Sequence, residues 1–109
     1  MVELLSPAGN REKMEAAIRY GADAVYLAGH SFGMRSAADN FSLEELKDAI
    51  AYAHSRGVRV YITVNTMPRG NEYARLREYL TLLGSFGPDA LIVADLGVLA
   101  LVQEILPHM

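Results

Sequence analysis

A short apolar strand followed by an amphipathic helix recurs four times along this chain, and glycine marks the joints of the repeat. Gly21-Ala22-Asp23-Ala24 leads into Val25-Tyr26-Leu27, Gly57 leads into the run from Val58 to Val64, and Gly87-Pro88-Asp89-Ala90 leads into Leu91-Ile92-Val93. Glycine just past a helix supplies the left-handed position that other residues enter only with strain. The apolar runs that follow read as parallel strands covered on both faces. Parallel neighbours need a crossover connection, so the repeat predicts an α/β fold with a parallel sheet. In such folds the chemistry sits at the carboxyl ends of the strands.

The length sets the scale of that architecture. A chain of 109 residues holds one domain at most. A complete eight-fold strand–helix barrel takes roughly 200–250 residues. The expectation is therefore a (βα)4 half of a TIM-type barrel, a single unit over 1–109 and the N-terminal fragment of a longer barrel protein. Strands are expected at 2–5, 24–28, 58–64 and 90–94, in the order 1-2-3-4 with right-handed crossovers. The chain stops just past a helix, where a further unit would begin, and this is read as truncation.

Composition narrows the function classes. Apolar residues make up 51% of the chain, so burial rather than disorder is intended. A net charge of −3 argues against a dedicated nucleic-acid binder, but leaves room for an RNA substrate held by residues elsewhere. Cysteine is absent, so this chain offers no disulfide, thiolate zinc site or cluster ligand. No apolar run approaches the roughly 20 residues that span a bilayer. The start, Met1-Val2-Glu3-Leu4-Leu5, has no basic segment ahead of its apolar one and is not a secretory signal. A cytoplasmic protein without a membrane partner is expected.

The helices announce their ends and inner faces. Asn10 is a good N-cap for a helix running to about Tyr20, with Met14, Ala17 and Ile18 inward. Ser42 and Glu45 form a capping box for a second helix, with Leu43, Leu46, Ile50 and Ala53 inward. Asn71 caps a third helix, carried inward by Leu76, Leu80 and Leu83. Asp95-Leu96-Gly97 turns into a fourth, with Val98, Leu101, Val102 and Ile105 inward and Pro107 ending it. The stretch from Gly29 to Phe41 is the longest without periodicity, and long loops in compact domains tend to be functional.

Polar side chains at the strand ends are the candidates for chemistry. Asn10, His30, Arg35, Asn40, Asn65, Arg69 and Asp95 would converge on one face of a parallel sheet. Arg35 suits a carboxylate or phosphate in bidentate geometry, or pairs with Asp39 to order its loop. Asp95 either points into the mouth or caps the fourth helix, and capping is favoured. Asn65 either meets substrate or satisfies loop backbone. His30 lacks a second histidine at ligand spacing and reads as a surface residue. His54 falls in the last turn of the second helix, where a cation is favoured by the helix dipole. Ser6 lies in Ser-Pro-Ala-Gly, not in the Gly-x-Ser-x-Gly elbow of a hydrolase. No metal site is expected in this chain.

Several strings occur in a fixed order: Glu3-Leu4-Leu5-Ser6-Pro7-Ala8-Gly9-Asn10, the joint at Gly21 with Val25-Tyr26-Leu27, and Arg35-Ser36-Ala37-Ala38-Asp39-Asn40-Phe41. Tyr52-Ala53-His54-Ser55-Arg56-Gly57, Tyr61-Ile62-Thr63-Val64-Asn65 and Asp89 to Gly97 follow. Together they resemble the N-terminal part of peptidase family U32, the collagenase-like proteases. The resemblance implies a strand–helix barrel and a longer protein with cysteine-bearing regions downstream. It implies a protease, this chain contributing a strand-end substrate pocket and being inactive alone. As the alternative, it implies an iron–sulfur-dependent hydroxylase acting on tRNA or a quinone precursor. The residues it carries over as substrate-binding are Asn10, Arg35, Asn40, Asn65 and Asp95. No cofactor is assigned to this chain, and an iron–sulfur cluster belongs to the full-length family protein.

Two readings from other classes stand beside the enzyme. One is a self-associating module, because the outer strands of an open four-stranded sheet invite pairing with another chain. The other is a small-ligand or phosphate-binding domain using the loop from Gly29 to Phe41. The expected partner is a second copy or the missing C-terminal half, with RNA as the substrate of the full-length protein. Residues such as Tyr26, Val60, Ile62 and Ile92 are expected on the face that lacks cover.

Overall fold

The computed structural model of the chain describes residues 3–28, 41–64, 72–93 and 95–109. Strand β1 (Leu5–Pro7) is followed by helix α1 (Arg11–Arg19), β2 (Ala24–Ala28), α2 (Leu43–Ser55), β3 (Arg59–Val64), α3 (Glu72–Ser85), β4 (Ala90–Val93) and α4 (Leu96–Ile105). The four strands form one sheet in the order β1-β2-β3-β4, and every pair is parallel. This is the arrangement expected of half a (βα)8 barrel.

Each joint forms as the glycines require. Gly21, Gly57 and Gly87 have φ of 96°, 73° and 75°, and each ends the turn between a helix and its following strand. The helix starts are equally local. Asn10 accepts the Lys13 backbone N–H at 2.8 Å. Ser42 and Glu45 close a reciprocal capping box, with bonds of 3.2 and 2.8 Å. Asp95 accepts from the Val98 N–H at 3.0 Å. Asn71 lies outside the described residues.

Strand β1 differs from the expected span of 2–5. It runs over Leu5–Pro7 because it is an edge strand. Pro7 pairs with Tyr26 in register while the Ala8 N–H makes the bond to the Tyr26 carbonyl. The donor that proline lacks is thus on the unpaired side, where its absence is harmless.

The register sorts the side chains onto two faces. Val25, Leu27, Val60, Ile62 and Val64 lie at most 3% exposed, and they form one core with the inner faces of the helices. Met14, Leu46, Ile50, Leu76, Leu80, Leu83 and Val98 meet them from the helix side, each 1% exposed or less. The other face carries Pro7, Tyr26 and Tyr61 in one row and Ala28, Thr63 and Ile92 in the next. Leu5 and Ile92 on that face are each 41% exposed. Among the described residues the sheet is therefore covered on one face only, where two covered faces were expected. Val60 and Ile62 are corrected with it. Their period places them against the helices, whereas Tyr26 and Ile92 occupy the open face as expected.

Tyr79 joins the core from α3 and is 7% exposed. Burial pushes its phenol up to about 12. An unfolded phenol titrates near 10. The folded value lies above the unfolded one, so this contribution is complete below pH ~10 and is lost as the pH climbs through about 12. Between those limits stability should fall by about 2–3 kcal/mol, at ~1.4 kcal/mol per unit of separation. Urea midpoints measured across that range should drop for the wild type, and the drop should flatten in Tyr79→Phe. An equal drop in both would assign the alkaline loss to other groups.

Candidate functional site

The carboxyl ends of the strands and the starts of the helices share one edge of the sheet, which is where a strand–helix barrel builds its site. Two of the five expected substrate-binding residues lie among those described. Asn10 and Asp95 both stand at that edge, and each spends a side-chain oxygen on capping the helix that follows it. For Asp95 this is the favoured reading of its two. Arg35, Asn40 and Asn65, together with His30 and Arg69, fall outside the described residues.

Around Asp95 the rim gains Tyr73 and Leu96, neither of them among the polar strand-end candidates. A Cβ placed on Gly97 would lie 3.1 Å from both the Asp95 Oδ1 and the Tyr73 hydroxyl. The first turn of α3 therefore reaches over the first turn of α4, and glycine is the residue that leaves room for it. Tyr73 is 43% exposed and Leu96 beside Asp95 is 81% exposed, so an aromatic face and an aliphatic side chain stand open at the mouth. The available signal was positional: Tyr73 opens a helix directly after a strand-end loop.

The opposite edge is built for holding strands together. Asp23 accepts the Leu4 backbone N–H at 2.8 Å while donating its own N–H to the Leu4 carbonyl at 2.9 Å. Asp89 does the same to Val60, at 2.7 and 2.8 Å. The carboxylate thus extends the parallel ladder by one bond at the foot of β2 and again at the foot of β4. Both aspartates come from the string Gly-x-Asp-Ala, which was visible as a repeated joint but not as a clamp. Asp89 also accepts from the His54 ring, Nε2 to Oδ2 at 2.7 Å. His54 ties the end of α2 to the foot of β4, a structural role as expected but through a side chain 35 positions away.

A second polar group sits on the open face near the same end. Arg59 is paired with the Glu3 carboxylate, and the Tyr61 hydroxyl donates to both Glu3 oxygens at 3.2 and 3.0 Å. The Glu3 charge raises the Arg59 guanidinium above its ordinary value. The hydrogen bond to Glu3 raises the Tyr61 phenol likewise.

The residues present do not fit an iron–sulfur cluster. The chain has no cysteine, and among the described residues no three His, Cys, Asp or Glu side chains are grouped to hold a metal ion. No helix among the described residues is long and apolar enough to cross a membrane.

Comparison with known proteins places this geometry. The profile described as "Peptidase family U32" matches residues 9–109. Similar to this chain are the tRNA hydroxylation protein P1 of Bacillus subtilis strain 168, 38% identical over 98% of this chain, and the tRNA hydroxylation protein P of Helicobacter pylori strain J99, 44% identical over 99% of it. A protein of Methanocaldococcus jannaschii named as the uncharacterized protease MJ0090 is 44% identical over 96% of the chain. This chain spans about a quarter of each relative's length: 25%, 26% and 26%. Among solved structures, the U32 peptidase Mk0906 superimposes with a TM-score of 0.73 at 18% identity, covering 94% of this chain and 44% of that one. That likeness is one of fold.

Proposed function

The chain belongs to peptidase family U32, and from that membership we propose that it supplies the first four strand–helix units, and part of the mouth, of a barrel protein that hydroxylates a tRNA nucleoside. The observation that carries this reading is the pair of tRNA hydroxylation proteins from two unrelated bacteria. They match nearly the whole chain at 38% and 44% identity. The mouth offers what a nucleoside needs. The exposed ring of Tyr73 and the side chain of Leu96 are surfaces on which a base can stack. Asn10 and Asp95 stand at the same edge, and the family resemblance adds Arg35, Asn40 and Asn65 as further substrate-binding donors and acceptors. Any cluster that serves the oxidation draws its thiolates from outside these residues.

The protease reading has its own support in the Methanocaldococcus relative, which is 44% identical. No nucleophile is assigned to it here: there is no cysteine, and Ser6 lies outside an elbow motif.

Deleting the gene and analysing digested tRNA by mass spectrometry separates the two. One nucleoside heavier by an oxygen atom should disappear, and should return with a plasmid copy. In that background, Arg35→Ala and Tyr73→Ala should lower its level, and Tyr73→Phe should restore it. Unchanged tRNA, together with loss of a gelatin-degrading activity, would overturn the proposal in favour of the protease.

A further inference from the structure

The strand order and the charges of the open sheet face are compatible with a second copy of the same face. All strands point the same way, all helices cover the same side, and β1 and β4 are the outer strands. A two-fold axis parallel to the strands would set β4 of one copy beside β1 of another, in parallel and at two identical seams. Twice four strands make the eight of a closed barrel.

The charges on that face are the second argument. In such barrels the side chains of one interior layer come from alternate strands. Glu3, just ahead of β1, and Arg59, on β3, already meet in this way. Two copies would place four charges in one layer, reading Glu3, Arg59, the second copy's Glu3 and the second copy's Arg59. Signs alternate around the ring, so every carboxylate has a guanidinium on either side. A guanidinium has five N–H donors in a planar fork, more than one carboxylate can use. The apolar part of the face follows the same logic, because Leu5 and Ile92 lie on the two outer strands that would meet at the seams.

We infer that, with no further strands attached, this chain closes its open sheet face against a second copy of itself, through the β1–β4 seams and an alternating Glu3–Arg59 layer. The inference does not rest on the RNA reading. It concerns what these residues do when nothing else covers the face.

Sedimentation equilibrium of the 109-residue chain at micromolar concentration tests it. The wild type should sediment at twice the chain mass. Glu3→Arg and Arg59→Glu each make the layer a ring of like charges and should weaken the dimer by about tenfold or more. The double variant Glu3→Arg/Arg59→Glu rebuilds the alternation and should recover the wild-type dissociation constant. Circular dichroism of the double variant guards against reading misfolding as dissociation. A monomeric wild type, folded or molten, overturns the proposal and leaves attached strands of a longer chain as the cover. A dimer indifferent to both single reversals overturns it too, because it would then associate through another surface.

Discussion

Ile62→Ala should lose about 2–5 kcal/mol of stability, the range for emptying a large aliphatic site that cannot fully collapse. Ile62 is 0% exposed, in the middle of the central strand β3, with α2 and α3 contributing Ile50 and Leu80 to the same core. A small domain has only about 5–15 kcal/mol to lose, so this single change approaches the limit of folding. The measurement is a urea titration read by circular dichroism. The midpoint should fall while the slope stays constant, since the surface exposed on unfolding barely changes. A loss under about 1 kcal/mol would mean that Ile62 faces the open side, and the two-faced register described here would be wrong.

The second large effect is expected at Asp89. Asp89→Ala removes the acceptor of the Val60 N–H and of the His54 ring together. Bonds to a charged acceptor contribute roughly 1.5–3 kcal/mol, and the Val60 donor would be left facing a methyl group. A loss of about 2–3 kcal/mol is expected. Asp23→Ala should cost less, because its partner Leu4 is 53% exposed and water can replace the carboxylate. A double-mutant cycle with His54→Ala isolates the helix-to-strand part of the clamp. Equal losses at Asp23 and Asp89 would show that the histidine bond adds nothing and that exposure at Leu4 is immaterial.

The helices and the order of the strands were legible in the chain because they rest on local chemistry. Glycines at positive φ, the Ser42–Glu45 box and the caps at Asn10 and Asp95 each act within a few residues. Facing in the sheet was harder. Val60 and Tyr61, or Ile62 and Thr63, are adjacent, and either member of each pair suits a strand interior. Only the pairing of β3 with β2, which sets Val25 beside Val60 and Tyr26 beside Tyr61, decides which side meets the helices. The Pro7 end of β1 was hidden for a related reason, since its tolerance depends on being at the edge. Long-range polar bonds were out of reach altogether. Nothing local to His54 points to Asp89, and nothing local to Glu3 points to Arg59, 56 positions on. Of the candidate site, the capping roles of Asn10 and Asp95 could be read from their positions. The rim contact of Tyr73 with the start of α4 depends on how two helices lie against each other.

The self-capped helices limit how this edge of the molecule can hold an anion. A bare helix start is a natural phosphate cradle, its free N–H groups and dipole both favouring negative charge. Here the first turns of α1, α2 and α4 already hold an oxygen from Asn10, Ser42 and Asp95, and that of Asp95 belongs to a carboxylate. An incoming phosphate would have to displace these oxygens, and at α4 it would meet a charge of its own sign. Backbone capture of the kind used by glycine-rich nucleotide loops is thus closed at three of the four helices. A polyanion meeting the starts of α1, α2 or α4 would have to be gripped by cationic side chains, and affinity of that kind should weaken steeply with added salt.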